Sequence, residues 1–179
     1  VVVLVVAAVT EIREQKIYNW LTAPAFVLGL VLAVGFGYLN DGGTGLSTAF
    51  MDWLAAVGLA FVPMAIFFAA GGFNGGDVKL MTAVGSICAH WACVLDIMIY
   101  AIVIGAVMAV VIMFRQRVAA RTVRRIASAA LLWLSRVQPD MAEDSPKVPY
   151  GVAIGIGGLV AGAHHLLGMP LPWATWGTT

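Results

Sequence analysis

Of 179 residues, 61% are hydrophobic and only 11% charged, a balance that excludes an ordinary soluble globular domain. Ten Lys and Arg against nine Asp and Glu leave a net charge of +1, which by itself says nothing about partners; no nucleic-acid partner is expected. The apolar runs are long and do not alternate, which argues against a β-barrel and for an all-α polytopic membrane protein.

Six membrane spans are expected, at 1–9, 20–39, 47–70, 80–94, 97–114 and 148–167. The first run has no preceding methionine, basic flank or small-residue cleavage site. It reads as the end of a span whose beginning lies upstream. The connection 11–19 is polar and charged, and 40–44 (Asn-Asp-Gly-Gly-Thr) has turn composition. The connection 71–79 is glycine-rich and charged, the link at 90–96 is tight, and 115–147 is long and basic. The tail beyond Gly168 is rich in Pro and Trp. One integral membrane domain, 1–179, accounts for the whole chain.

The basic residues are distributed unevenly. Arg13 and Lys16 fall in the first connection and Lys79 in the third. Arg115, Arg117, Arg121, Arg124, Arg125, Arg136 and Lys147 fall in the fifth. In a six-span chain all ten lie on one side, which the positive-inside rule makes cytoplasmic. The segment 117–136 mixes arginines with Val, Ile and Leu, and is expected to form an amphipathic helix on anionic headgroups.

Two carboxylates then share that face. Asp77 lies just before the fourth span, among Gly71, Gly72, Gly75 and Gly76, whose bare backbone leaves room for close approach. It could also simply cap the helix that follows. Lys79 is positioned to tune its charge or to anchor at the headgroups. Glu11 ends the first apolar run and is followed by Glu14, three residues on and on the same helical face. By itself the Glu11 segment reads as a solvated loop; a partner at Asp77 would change that. Two carboxyls sharing a site hold one proton between them and titrate as a unit. The ionised member can activate water while the protonated one donates to the carbonyl oxygen or leaving amine.

Three segments carry a resemblance. Glu11-Ile-Arg-Glu-Gln-Lys-Ile-Tyr-Asn19, Gly75-Gly-Asp-Val-Lys-Leu80 and Val148-Pro-Tyr-Gly-Val-Ala-Ile154 together resemble the type IV prepilin peptidases. The resemblance implies an aspartic-type endopeptidase of the bacterial inner membrane that cleaves leader peptides of pilin-like precursors at the cytoplasmic face. It implies catalytic roles for Glu11 and Asp77, and site-shaping roles for Asn19, Asn74, Gly75, Gly76, Lys79, Pro149, Tyr150 and Gly151. Neither a metal nor another cofactor is implied. The partners it implies are single-span pilin-like precursors; the basic segment adds the bilayer with its anionic headgroups, and the alternative below adds further subunits of a membrane complex. Three motif positions differ from the family pattern: Glu11 stands for Asp, Tyr18 for Pro and Asn74 for Gly. The first connection is too short for the cysteine-rich domain of the longer, methylating members. The alternative is a peptidase-like subunit with weakened or lost activity that binds or assembles within a larger complex. A transporter is disfavoured, because the acidic residues fall in connections or near span ends.

The remaining polar residues are expected to be structural. Cys88 and Cys93, five apart, fit no zinc or redox spacing and read as small apolar filler. His164 and His165 are adjacent and do not share a helix face, which argues against a metal site. Asp52 and Asp96 are expected to be hydrated at outer span ends, and most tryptophans to lie near the interfaces.

Overall fold

The computed structural model describes residues 1–115 and 149–168. They form five helices: α1 (Val2–Glu14), α2 (Asn19–Ala69), α3 (Gly75–Cys88), α4 (Trp91–Arg115) and α5 (Tyr150–Leu167). The chain divides into two compact units, Val1–Ile104 with the chain from Pro149 onward, and Gly105–Val148. All side chains discussed below belong to the first. The expected amphipathic helix at 117–136 lies outside the described residues.

The helical architecture agrees with the expectation, but the division into spans differs. Three helices, α2, α4 and α5, are long and apolar enough to cross a membrane. With 14 residues, α3 reaches only about 20 Å, short of the roughly 30 Å hydrocarbon core. The expected second and third spans are merged in α2. Only Asp41 (φ −131°) and Gly42 (φ 61°) leave helical geometry within it, inside the expected Asn-Asp-Gly-Gly-Thr turn. There α2 folds back on itself. Gly37 packs so closely on Gly45 that a Cβ would lie 2.6 Å from the Gly45 carbonyl oxygen, and Phe26 meets Trp53 edge to face at 5.5 Å. The tight link between the fourth and fifth spans comes earlier than expected. Ala89 takes a left-handed conformation (φ 51°), ends α3 at Cys88 and lets α4 start at Trp91.

Small residues bring α3 against α2. A Cβ on Gly85 would stand 2.7 Å from the Ala60 Cβ and 3.1 Å from the Ala56 carbonyl oxygen. Close packing of this kind is what associates helices when lipid removes the hydrophobic drive between them. A hydrogen-bonded chain joins the same elements: Trp53 Nε1 donates to Ser86 Oγ at 2.8 Å, and Ser86 Oγ donates to the Phe26 carbonyl at 2.7 Å. Trp53 is therefore buried in the helix packing rather than set at an interface. The glycines of α5 act similarly, with Gly158 against Leu4 of α1 and Gly157 against Ala101 of α4. Outward-facing residues such as Phe36, Ile66 and Val103 are apolar and more than half exposed, as a lipid-facing surface requires. Gly85→Val is expected to destabilise the protein by about 1–3 kcal/mol, because backbone and Ala60 must both move to admit it. Thermal unfolding in detergent should show a lowered midpoint, and an unchanged one would contradict this packing.

Candidate active site

Glu11 lies near the end of α1, beyond the first apolar run, and is buried. The helix stops four residues later, where Gln15 turns left-handed (φ 52°) and its N–H donates to the Glu11 carbonyl. The chain then crosses to Tyr18, in extended conformation, which opens α2. Glu14 does not join Glu11. It is exposed and accepts a hydrogen bond from the Tyr18 hydroxyl, so the shared face expected for the two glutamates is not used.

Asp77 lies in the first turn of α3, ahead of its apolar stretch, and is 1% exposed. Asn74 is the N-cap (φ −87°, ψ 153°), and its backbone N–H donates to Asp77 Oδ2 at 3.0 Å. The capping role is therefore real. It engages one carboxylate oxygen only: Oδ1 is buried and has no hydrogen-bond partner among the described residues. Buried polar atoms are seldom left so without a functional or solvent partner.

The start of α5 closes the arrangement. Pro149 precedes the helix and Tyr150 packs its ring on Phe73 at 4.2 Å, fixing the entrance of α5 beside the loop before Asp77. The next amides face the carboxylates. Val152 N–H donates to Glu11 Oε2 at 2.7 Å, and the Gly151 N–H lies near both Glu11 and Asp77 and favours the ionised form of each. These are first-turn donors of a helix, at its positive end, and the Val152 N–H is shared with the Pro149 carbonyl at 3.2 Å. Gly151 is the residue that fits here, since a Cβ would come within 2.7 Å of Glu11 Oε2 and 2.9 Å of Ile17 Cδ1.

Both carboxyls are held above their ordinary range despite these donors. Burial is the main cause for Glu11, followed by the negative charge of Asp77. Burial is also the main cause for Asp77.

A cavity of about 460 Å³ brings the groups together. Glu11, Asp77, Asn19, Asn74, Gly76 and Lys79 line it, with Lys16, Ile17 and Tyr18 from the first connection. Gly76 faces Ile17, where a Cβ would meet the Ile17 Cβ at 3.2 Å, and Gly75 lies next to the Phe68 ring. Lys79, expected beside Asp77, instead donates from Nζ to Asn19 Oδ1 at 3.0 Å and ties α3 to the first residue of α2. The cavity is not net acidic, because Lys16 and Lys79 line it along with the two carboxylates.

Away from the cavity, two polar clusters differ from expectation. Asp96 is buried rather than hydrated, and pairs with His165 Nε2 at 3.1 Å. The sulfur atoms of Cys88 and Cys93 meet at 3.1 Å. Sequence spacing missed the Val152 donor as well, which lies 141 residues from Glu11.

No curated protein and no solved structure matches the chain. A family model described as the type IV leader peptidase family matches residues 1–110, a stretch holding both carboxylates and the Gly75-Gly-Asp-Val-Lys-Leu80 segment, though not the start of α5. With more than half its length matched, and with apolar helices to suit a multi-pass membrane protein, the chain belongs to the type IV leader peptidase family.

Proposed function

We propose that this protein is an aspartic-type membrane endopeptidase that removes the leader peptide of pilin-like, single-span precursors, with Glu11 and Asp77 as its catalytic pair. The observation that carries the reading is the buried, partnerless Asp77 Oδ1 on a cavity shared with a second carboxyl of raised pKa. With one proton between them, the ionised carboxylate takes a proton from water as it attacks the scissile carbonyl. The protonated member donates to the carbonyl oxygen and then, as the tetrahedral intermediate collapses, a proton passes to the leaving amine. No covalent enzyme intermediate forms. The amides at the start of α5 hold the Glu11 carboxylate in position, and Asn74 holds that of Asp77.

This reading takes the six-span arrangement expected from the sequence, with the arms of α2 counted separately. The basic connections then face the cytoplasm of a bacterial inner membrane, and the cavity opens on that side. Gly75 and Gly76 give a substrate backbone access, and Asn19 and Lys79 brace the cavity wall. Arginines of the long basic connection engage anionic headgroups.

Glutamate in place of aspartate has a geometric rationale. The extra methylene carries the carboxylate of Glu11 to the Val152 amide. Glu11→Asp withdraws it by about one carbon–carbon bond, enough to cost on the order of a hundredfold in rate. The test is cleavage, in membranes, of pilin-like precursors encoded near this gene by the native protein, Asp77→Ala and Glu11→Asp. Cleavage by the native protein that disappears in Asp77→Ala and falls in Glu11→Asp is expected. No cleavage by the native protein, with activity gained in Glu11→Asp, would instead identify a peptidase-like assembly subunit.

A further inference from the structure

The chain has two cysteines, and the hydrolytic site uses neither. Cys88 is the last residue of α3 and Cys93 lies in the first turn of α4. On one continuous helix, residues five apart point about 140° away from each other and cannot meet. Here the left-handed Ala89 breaks the helix and the chain turns back, bringing the two sulfur atoms to 3.1 Å with both side chains half-buried. Beyond them, the Asp96–His165 pair ties α4 to α5. Among the described residues no group of three or more His, Cys, Asp or Glu is arranged to hold a metal.

We propose that Cys88 and Cys93 are an oxidation site that closes into an intramolecular disulfide, stapling the end of α3 to the start of α4. A disulfide-bearing thiol oxidoreductase is the oxidant. One cysteine thiolate attacks its disulfide to give a mixed disulfide, and the second displaces the oxidant's sulfur. The new sulfur–sulfur bond takes the place of two S–H bonds. The two protons and two electrons leave on the oxidant, which becomes a dithiol. Asp77 and Cys88 occupy opposite ends of α3. The compartment of the thiols therefore rests on the sidedness in the proposed function: with the carboxylates at the cytoplasmic face, α3 carries the cysteines part of the way across, toward the oxidising side of the membrane. The staple anchors the far end of the helix that carries Asp77 without entering the carboxylate cavity.

Thiol tagging tests this directly. Membranes carrying the full chain are quenched in acid, denatured and treated with a mass-adding maleimide, with or without prior reduction. No tag before reduction and two tags after it are expected, falling to one constitutive tag in Cys88→Ser and in Cys93→Ser. One or two tags on the native chain before reduction would overturn the proposal. Sidedness is read separately, by applying a membrane-impermeant maleimide to reduced, intact spheroplasts. Tagging from outside supports an oxidising location. Protection there, together with free thiols before reduction, overturns the proposal and traces its failure to the sidedness; free thiols that are tagged from outside overturn it through the chemistry of the pair.

Discussion

Asp77→Asn is expected to lose cleavage by about a hundredfold or more and yet to raise the thermal midpoint at neutral pH. The loss follows from removing the group that activates water or carries the shared proton. The gain follows from linkage. The Asp77 carboxyl is raised above its ordinary value by burial, so the folded protein binds its proton more tightly than the unfolded chain. Stability therefore falls as pH climbs from the ordinary carboxylate range through the raised folded value, and the penalty stays in force at pH 7. Asparagine carries no charge, so the variant escapes that penalty, and its side-chain oxygen can still accept the Asn74 N–H. Glu11→Gln should behave the same way, since Glu11 is raised both by burial and by Asp77. Melting curves in detergent between pH 4 and 8 check the sign. Native protein that grows more stable as pH rises across this range, with no gain in either variant, would contradict the assignment of raised pKa values.

Gly151→Ala is expected to cut cleavage by about a hundredfold while leaving the helices intact. Its methyl group would reach within 2.7 Å of Glu11 Oε2 and 2.9 Å of Ile17 Cδ1. The carboxylate would have to swing off the Val152 amide, and a displacement near 1 Å in a catalytic group costs roughly that much. The variant separates positioning from folding: circular dichroism should be unchanged, and the loss should appear in kcat rather than KM. Full activity in Gly151→Ala would mean that the start of α5 does not hold Glu11 during turnover.

Much of this architecture can be read from the sequence because local chemistry writes it there. The turn at Asp41 and Gly42 is announced by its Asn-Asp-Gly-Gly composition, and of the glycines before Asp77, Gly71 takes a positive φ (78°) and Gly76 lies close against Ile17. The Pro-Tyr-Gly segment is recognisable as a motif, but not for what its amides touch. That contact joins residues 141 positions apart, and only the packing of α5 on α1 creates it. The same limit hid the Ser86 bridge between Trp53 and Phe26, the Lys79–Asn19 bond and the Asp96–His165 pair, each a long-range meeting of polar groups whose own surroundings look ordinary. The cysteine pair was missed for a different reason. Helical periodicity separates residues five apart, and one left-handed alanine cancels that separation. The expected fourth span runs past the end of α3 because hydropathy follows apolar content, while the helix end is set by the backbone turn at Ala89.

The central claim is that Glu11 and Asp77 act as one proton-sharing pair. The pH dependence of leader cleavage by the native protein in lipid nanodiscs, compared with Glu11→Gln and Asp77→Asn, tests it most directly. A bell-shaped profile is predicted, with its basic limb above the ordinary carboxylate range and with both variants inactive across it. A profile without an acidic or basic limb, or substantial cleavage by either variant, would contradict it.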